Sequence, residues 1–548
     1  MVIMFTGMSG IKITESLSRF CSEYKEFKTG GSIPEENRPV IIKLDAEIEG
    51  VYYDKNPKQP ITKRLWINKI LFLPYSVFEE YWNAAFDNVE SKIKEIKAKN
   101  PNRYIFLNLH ACYFHNKTQE YISLINIEKL QKVNPIKIIT IIDDIFDIHE
   151  RLEELGGIYH DYSDASPTEL ILRYMRLLDW RSKETMMSKF IARQIKKDEK
   201  LEICIDHFLF AAKHSFETLY NLIYKKSFKT VYLSHPITEV RRLEKKNKIE
   251  EVGAIKNEIN KISNSLTQAF TTFLPTTIDE YRIFNAPSTT GIKNENAKVF
   301  KAVLTDRWDP DKYKIQNDFL FKISGFNEKN NLWRKIEEIK DDQLDAGTNY
   351  LLSNLANFIK DQVTTRDYSM VEQSEILVIY RPLFNGNKSS GVEQEFQYYK
   401  SLKEKNDMYH CFIYCPLKDT YKFYTEQLTN KVKYHLEQTK HLKLRSNKEF
   451  SGFDQSMWSS LPLNLEIDSL QEFIENELNE RQIIFDIKEN EDPLPGLPNL
   501  VKFKNSFFHD LLGIFSIVKE YETYSKFQYK EIDIDTWVAD IDKIISKK

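Results

Sequence analysis

SEILVIYRPLFNGNKSSGVEQEFQYY, residues 374–399, decides how the second half of the chain is read. Its first seven residues carry an apolar run of strand length that ends at Tyr380. The next ten, RPLFNGNKSS (381–390), are rich in turn formers. A helix is predicted from Gly391, and MYHCFIYC (408–415) supplies the next apolar strand. Strands without polar alternation, joined through helices, are the signature of a parallel sheet covered on both faces.

Upstream, FKTVYLSHPI (228–237) opens the same series. A helix over about Glu239–Phe270, strands near Phe273 and at Ala297–Leu304, and a helix near Tyr350–Asp367 are expected to follow. Residues 283–345 are polar and irregular and read as an insertion. The first 225 residues form their own series. VIMFT (2–6), RYIFLNLH (103–110) and IKIITIIDD (136–144) are strand-like, and Ser76–Lys99, Pro167–Lys196 and Leu201–Lys225 are amphipathic. The expected architecture is therefore two mainly parallel α/β domains, 1–225 and 226–420, and a mostly helical, charged region, 421–548, broken at DPLPGLPNL (492–500).

A chain of 548 residues exceeds what one hydrophobic core supports. It is 41% hydrophobic and 29% charged, with 35 Phe and 29 Tyr, which excludes a disordered chain. The 78 basic and 81 acidic residues leave a formal charge of −3, so no overall electrostatic case for nucleic acid exists. No apolar run approaches the roughly 18 residues of a membrane span. MVIMFTGMSG lacks the basic start and cleavage site of a signal peptide. Five scattered cysteines without a CxxC pair argue against disulfides or zinc, and a reducing cytosol is expected.

The turn after the first strand is GMSGIKIT, Gly7 to Thr14. A phosphate-binding loop reads G-x-x-x-x-G-K-[ST], because glycines let backbone N–H groups surround the phosphates while lysine and the hydroxyl reach phosphate and Mg²⁺. In frame with Gly7, the second glycine is Lys12 and the lysine is Ile13; only Thr14 fits, and Gly10 lies out of register. Asp143 and Asp144 end a buried strand as a Walker-B acid does. The stretch resembles adenylate-kinase-like P-loop proteins, with Leu178-Asp179-Trp180-Arg181 as a further echo. The departures imply a scaffold or partner surface in preference to nucleotide binding without turnover or an active kinase. His110 beside Cys112 has no second ligand at metal spacing and reads as a hydrogen-bonded strand-end residue.

Three segments of the second half carry chemistry. They are Tyr232-Leu233-Ser234-His235-Pro236-Ile237, Arg366-Asp367-Tyr368, and Ser389-Ser390-Gly391-Val392-Glu393-Gln394-Glu395-Phe396. Each is expected where the carboxyl ends of parallel strands meet helix starts, the usual ligand crevice of open α/β sheets. Together they resemble the nucleoside 2-deoxyribosyltransferase family and its relatives, the nucleoside 5′-monophosphate N-glycosidases. These share a strand ending in YLAGPI or similar, an aspartate before a later strand, and a helix start G-[TV]-x-x-E-[LFI]-G-Y-A whose Glu is the nucleophile. Pro275-Thr276 with Ile278-Asp279-Glu280 resembles a further family segment. The resemblance spans about 190 residues, of which the insertion at 283–345 is excess.

It implies Glu395 as the nucleophile that traps the sugar, Asp367 as the acid that protonates the leaving base, and Tyr232 as the hydroxyl that holds Glu395 in line. Glu393 is the rival, but two residues on a helix are about 200° apart, so both glutamates cannot face one sugar. Glu395 is expected in the first turn, where free N–H groups favour a carboxylate. The monophosphate glycosidases carry serine six residues before the nucleophile, where the deoxyribosyltransferases tend to carry aspartate. Ser389, with Ser390 and the amide groups around Gly391, is thus the expected 5′-phosphate subsite, aided by Lys388 and Arg381. His235 stands where the family often has glycine and is expected in the base or sugar pocket.

The expected activity is hydrolysis or transfer at the N-glycosidic bond of a nucleotide or nucleoside, preferably 5′-phosphorylated. The alternatives are a non-catalytic nucleotide sensor and a nucleoside monophosphate kinase. A decayed phosphate loop joined to a nucleotide-cleaving domain suits nucleotide-pool control or defence. No cofactor, metal, membrane or nucleic-acid partner is expected, and a homo-oligomer is.

Overall fold

The computed structural model describes most residues of 1–154, 167–280, 346–434 and 534–546 and a few between 510 and 517. The expected insertion (283–345), the strand at Ala297–Leu304 and the break at 492–500 lie outside the described residues. In chain order the principal elements are β1 (Val2–Thr6), α1 (Ile13–Glu23), β2 (Val40–Lys43), α2 (Leu44–Lys55), α3 (Tyr75–Lys99), β3 (Ile105–Asn108), β4 (Pro135–Ile142), α4 (Ile145–Glu154), α5 (Pro167–Gln194), β5 (Asp206–Ala211) and α6 (Phe216–Tyr224). They continue with β6 (Thr230–Ser234), α7 (Ile249–Ala269), β7 (Thr271–Phe273), α8 (Ala346–Glu372), β8 (Ile376–Tyr380), α9 (Ser390–Lys403), β9 (His410–Tyr414) and α10 (Ile534–Ser546). The chain is α/β, built on parallel sheets. No described helix is long and apolar enough to cross a membrane.

The chain divides into two compact units, Met1–Ser227 with Phe273–Gln373, and Phe228–Thr272 with Ser374–Lys548. The second series read from the sequence, 226–420, is thus shared between them.

The first unit holds a five-stranded parallel sheet in the order β2-β3-β1-β4-β5. Side chains alternate across a strand, and β1 feeds both faces. Val2 and Met4 join the core formed with Phe78, Trp82, Phe86 and Val89 of α3. On the other side Phe5 meets Phe106 edge-on at 5.2 Å, and Phe20 of α1 lies 5.6 Å from Phe216 of α6. Each such ring contributes about 2–3 kcal/mol by leaving water, so both faces need their helices. Helix α8 belongs here through Gln362 and through Gln373, the residue directly after it. Gln362 donates to the Leu178 carbonyl of α5 at 2.6 Å. Gln373 brackets Leu209, taking its N–H at 2.8 Å and donating to its carbonyl at 2.9 Å, as a neighbouring strand would at the open edge of β5.

The second unit holds a four-stranded sheet in the order β7-β6-β8-β9, with β8 parallel to both of its neighbours. Its second strand in sequence lies on one side of β6 and its third on the other, so strand order reverses between β6 and β8. At such a reversal the flanking helices cover opposite faces and leave a crevice at the carboxyl ends. Among the described residues Ile237, Glu239, Val240 and Leu243 are helical, near the expected start, and a further helix runs from Ile249 after Lys248 takes non-helical backbone angles (φ −84°, ψ 58°).

Candidate active site

Tyr232 and Ser234 are two apart on β6 and share one face of the sheet, at the end that opens on the reversal. Glu395 reaches them from α9. That helix buries Val392, Glu395, Phe396 and Tyr399, a face at spacing i, i+3, i+4, i+7 that directs Glu395 inward. The Tyr232 hydroxyl donates to Oε1 of Glu395 at 2.6 Å, and the Ser234 hydroxyl donates to Oε2. All three side chains are buried. Glu393 points elsewhere, pairing with Lys388 at 3.0 Å and accepting from Gln397 at 2.8 Å on a more exposed face.

The helix starts at Ser390, so Glu395 is its sixth residue and stands in the second turn. The first-turn position expected for it is corrected: the helix dipole and free N–H groups act within the first turn, and the two strand hydroxyls hold this carboxylate instead.

Ser389 is the N-cap of α9, yet its side chain makes no capping bond. Its hydroxyl donates at 3.0 Å to Oε2 of Glu239, and both residues are buried. The two cations expected to help it are also paired with carboxylates. Lys388 meets Glu393, and Arg381 forms a two-pronged pair with Asp419 at 2.5 and 3.0 Å that raises its pKa despite burial. Ser390 and Gly391 lie exposed at the helix start, with open space at the Gly391 Cα. His235 is buried directly after Ser234. A cleft of about 460 Å³ opens beside this loop, lined by Arg381, Phe384, Asp419, Lys422 and, from α7, Glu251 and Glu258.

Asp367 lies near the end of α8, in the first unit, and not where a strand's carboxyl end meets a helix start. The chain passes from α8 into the amino end of β8, which fixes that position. Burial raises the Asp367 pKa, against the lowering effect of the Arg366 guanidinium 2.9 Å away. Arg366 itself is anchored on the carbonyls of Ile278 and Pro275. The structure therefore brings Tyr232, Ser234 and Glu395 together within one unit; Asp367 keeps its expected role through the sequence alone.

In the first unit the turn after β1 meets an internal carboxylate through Gly7. Glu184 of α5 accepts from the backbone N–H groups of Gly7 (2.9 Å), Ala111 (2.7 Å) and Cys112 (2.8 Å). Gly7 cannot carry a side chain, since a Cβ there would stand 2.6 Å from the Ile141 carbonyl oxygen. Gly10 (φ 89°) and Lys12 (φ 56°) take left-handed backbone angles in the turn, and Lys12 stands at the N-cap of α1. The Thr14 hydroxyl accepts from Asn108 at 2.8 Å. Asp143 pairs with Arg151 at 2.5 Å, and Arg181 joins the Asp143 carbonyl to Glu280. Glu280 also takes the Ile145 N–H at the start of α4, so two groups of backbone donors face protein carboxylates.

His110 sits against the same turn, its Nδ1 2.5 Å from the Gly7 carbonyl oxygen and its Nε2 3.2 Å from Asp45. Burial pulls its pKa down, but Asp45 outweighs this and the imidazole is pushed up to about 9. Among the described residues no group of His, Cys, Asp and Glu is arranged to hold a metal ion.

Sequence reasoning missed Ser234, Glu239 and Glu184. The two-residue period of β6 was a signal for Ser234, since it must share a face with Tyr232. Glu239 and Glu184 are 150 and 177 residues from their partners and had no local signal. No protein-family model matches this chain, and no curated protein matches its sequence.

Proposed function

We propose that the second unit breaks the N-glycosidic bond of a nucleoside or nucleotide, with Glu395 as the nucleophile. The observation that carries this reading is the Glu395 carboxylate, buried at a reversal of strand order with one hydroxyl donor on each oxygen. A structural glutamate gains more by facing water, and burial of a carboxylate is tolerated when its oxygens are satisfied.

In the proposed first step a Glu395 oxygen bonds to C1′ as the C1′–N bond breaks. The base leaves with the electron pair and takes a proton from water. In the second step water, or a nitrogen of another base, bonds to C1′. The ester electron pair returns to Glu395, and the attacking group loses its proton to solvent. Retaining glycosidases follow the same two-step logic.

At the 5′ end a specific observation favours a second reading of substrate class. Glu239 places a carboxylate on Ser389, the residue that the resemblance assigns to the 5′ group. Two unit charges about 4 Å apart cost on the order of 1–4 kcal/mol in partly wet surroundings, so a 5′-hydroxyl suits this pair better than a phosphate dianion. The first unit we read as a P-loop-like scaffold, because the Gly7 amide at the start of the turn is bonded to the Glu184 carboxylate, where a phosphate would meet a like charge.

The test is incubation of the full chain with nucleosides, nucleoside 5′-monophosphates and NAD, with free base as readout. Base release from any of them that Glu395→Gln abolishes supports the reading. No release from the whole panel overturns it.

A further inference from the structure

Tyr232 has a role in the resemblance, whereas Ser234 has none, yet the two hydroxyls make equivalent bonds. Oε1 of Glu395 takes the tyrosine and Oε2 the serine. A carboxylate held through one oxygen still turns about its last single bond; held through both, its plane is fixed. Ser234 is fully buried at the end of β6, so this donor is held by the strand itself.

We infer that Ser234 is a positioning residue for the second chemical step, stabilising the charge that returns to Glu395 when the glycosyl ester breaks. This rests on the N-glycosidase reading. In that step the water oxygen bonds to C1′ and the C1′–Oε bond breaks. The electron pair goes to the carboxylate, and the surplus proton of the water passes to bulk water. A hydroxyl aimed at a carboxylate oxygen bonds strongly to the free anion and weakly to its ester. It therefore favours ester breakdown more than ester formation, and its loss makes the intermediate accumulate.

The experiment compares wild type, Ser234→Ala and Glu395→Gln as full-length proteins. Free base is followed by rapid quench, and the glycosyl adduct by intact mass, with the panel member that wild type cleaves best. For Ser234→Ala the expected steady-state rate is about 10- to 100-fold lower, the range for a hydrogen bond to a charged group. A burst of about one base per enzyme and an adduct absent from Glu395→Gln should accompany it. Ser234→Cys keeps the volume and offers only a weak donor, so it replaces the alanine variant if that fails to fold and should show the same burst. Turnover at the wild-type rate in a folded variant, or slowing without adduct, overturns the inference. If wild type is active and Glu395→Gln dead while Ser234→Ala is normal, the inference alone fails. If wild type releases no base, the N-glycosidase reading fails with it.

Discussion

Tyr232 and Glu395, 163 residues apart, are joined by a 2.6 Å hydrogen bond from the phenol to the carboxylate. The bond ties the strand that opens the second unit to the helix that carries the proposed nucleophile. It also distinguishes the two glutamates of α9. Only the one facing β6 can receive it.

Glu395→Gln should abolish base release and leave the fold intact, since the amide keeps the shape and can still accept through one oxygen. Glu393→Gln removes only a partly exposed pair with Lys388, a contact worth about 1 kcal/mol or less, and should keep substantial activity. Steady-state assays beside melting curves check both. Equal loss in the two variants would remove the distinction.

Tyr232→Phe deletes the phenol's bond to the carboxylate without changing the ring. Activity should fall about 10- to 100-fold with KM within a few-fold, because the contact is to the nucleophile and not to the substrate. A rise in KM alone would place Tyr232 against the substrate instead.

Glu239→Gln should raise kcat/KM for a 5′-monophosphate relative to its nucleoside by about tenfold or more, by removing the carboxylate that Ser389 now contacts. Ser389→Asp should move the same ratio the opposite way, about one to three orders of magnitude, by adding a second negative charge. The quantity to measure is the monophosphate-to-nucleoside ratio in each variant. An unchanged ratio in both would show that this pair does not read the 5′ group.

The phosphate loop should be catalytically silent. Lys12→Ala and Thr14→Ala should leave base release within about tenfold, and the protein should transfer no phosphate from ATP to nucleoside monophosphates, because the turn lacks the second glycine and the lysine and its Gly7 amide is bonded to the Glu184 carboxylate. ADP formation that depends on Lys12 would contradict this.

His110 gives the first unit a pH dependence. Its folded pKa, about 9, lies above the unfolded value of about 6.5, so the stability it contributes is complete below pH 6.5 and lost as pH rises through 9. Melting temperature should therefore drop between pH 7 and 10, and His110→Gln should be destabilised at pH 6.5 but show a flatter profile. A wild-type profile no steeper than that of the variant would remove Asp45–His110 as its cause.

By itself the sequence determined the α/β class, because ILVIY, CFIY and IIT are apolar without alternation and only a sheet covered on both faces buries such runs. It also determined the start of α9, where turn formers give way to a buried i, i+3, i+4 face, and it singled out Tyr232 and Glu395 through their motifs. Local spacing could carry no more than that. Whether Glu395 leans on its helix start or on a neighbouring strand depends on how α9 packs over β6, and the packing chose the strand. That Asp367 joins the first unit follows from Gln362 and Gln373 bonding to α5 and β5, partners more than 160 residues away. That Ser389 meets a carboxylate, and that the loop at Gly7 closes on Glu184, were likewise decided by tertiary structure. Hydrogen bonds between distant residues exist only once the chain has folded, and no periodicity in the sequence records them.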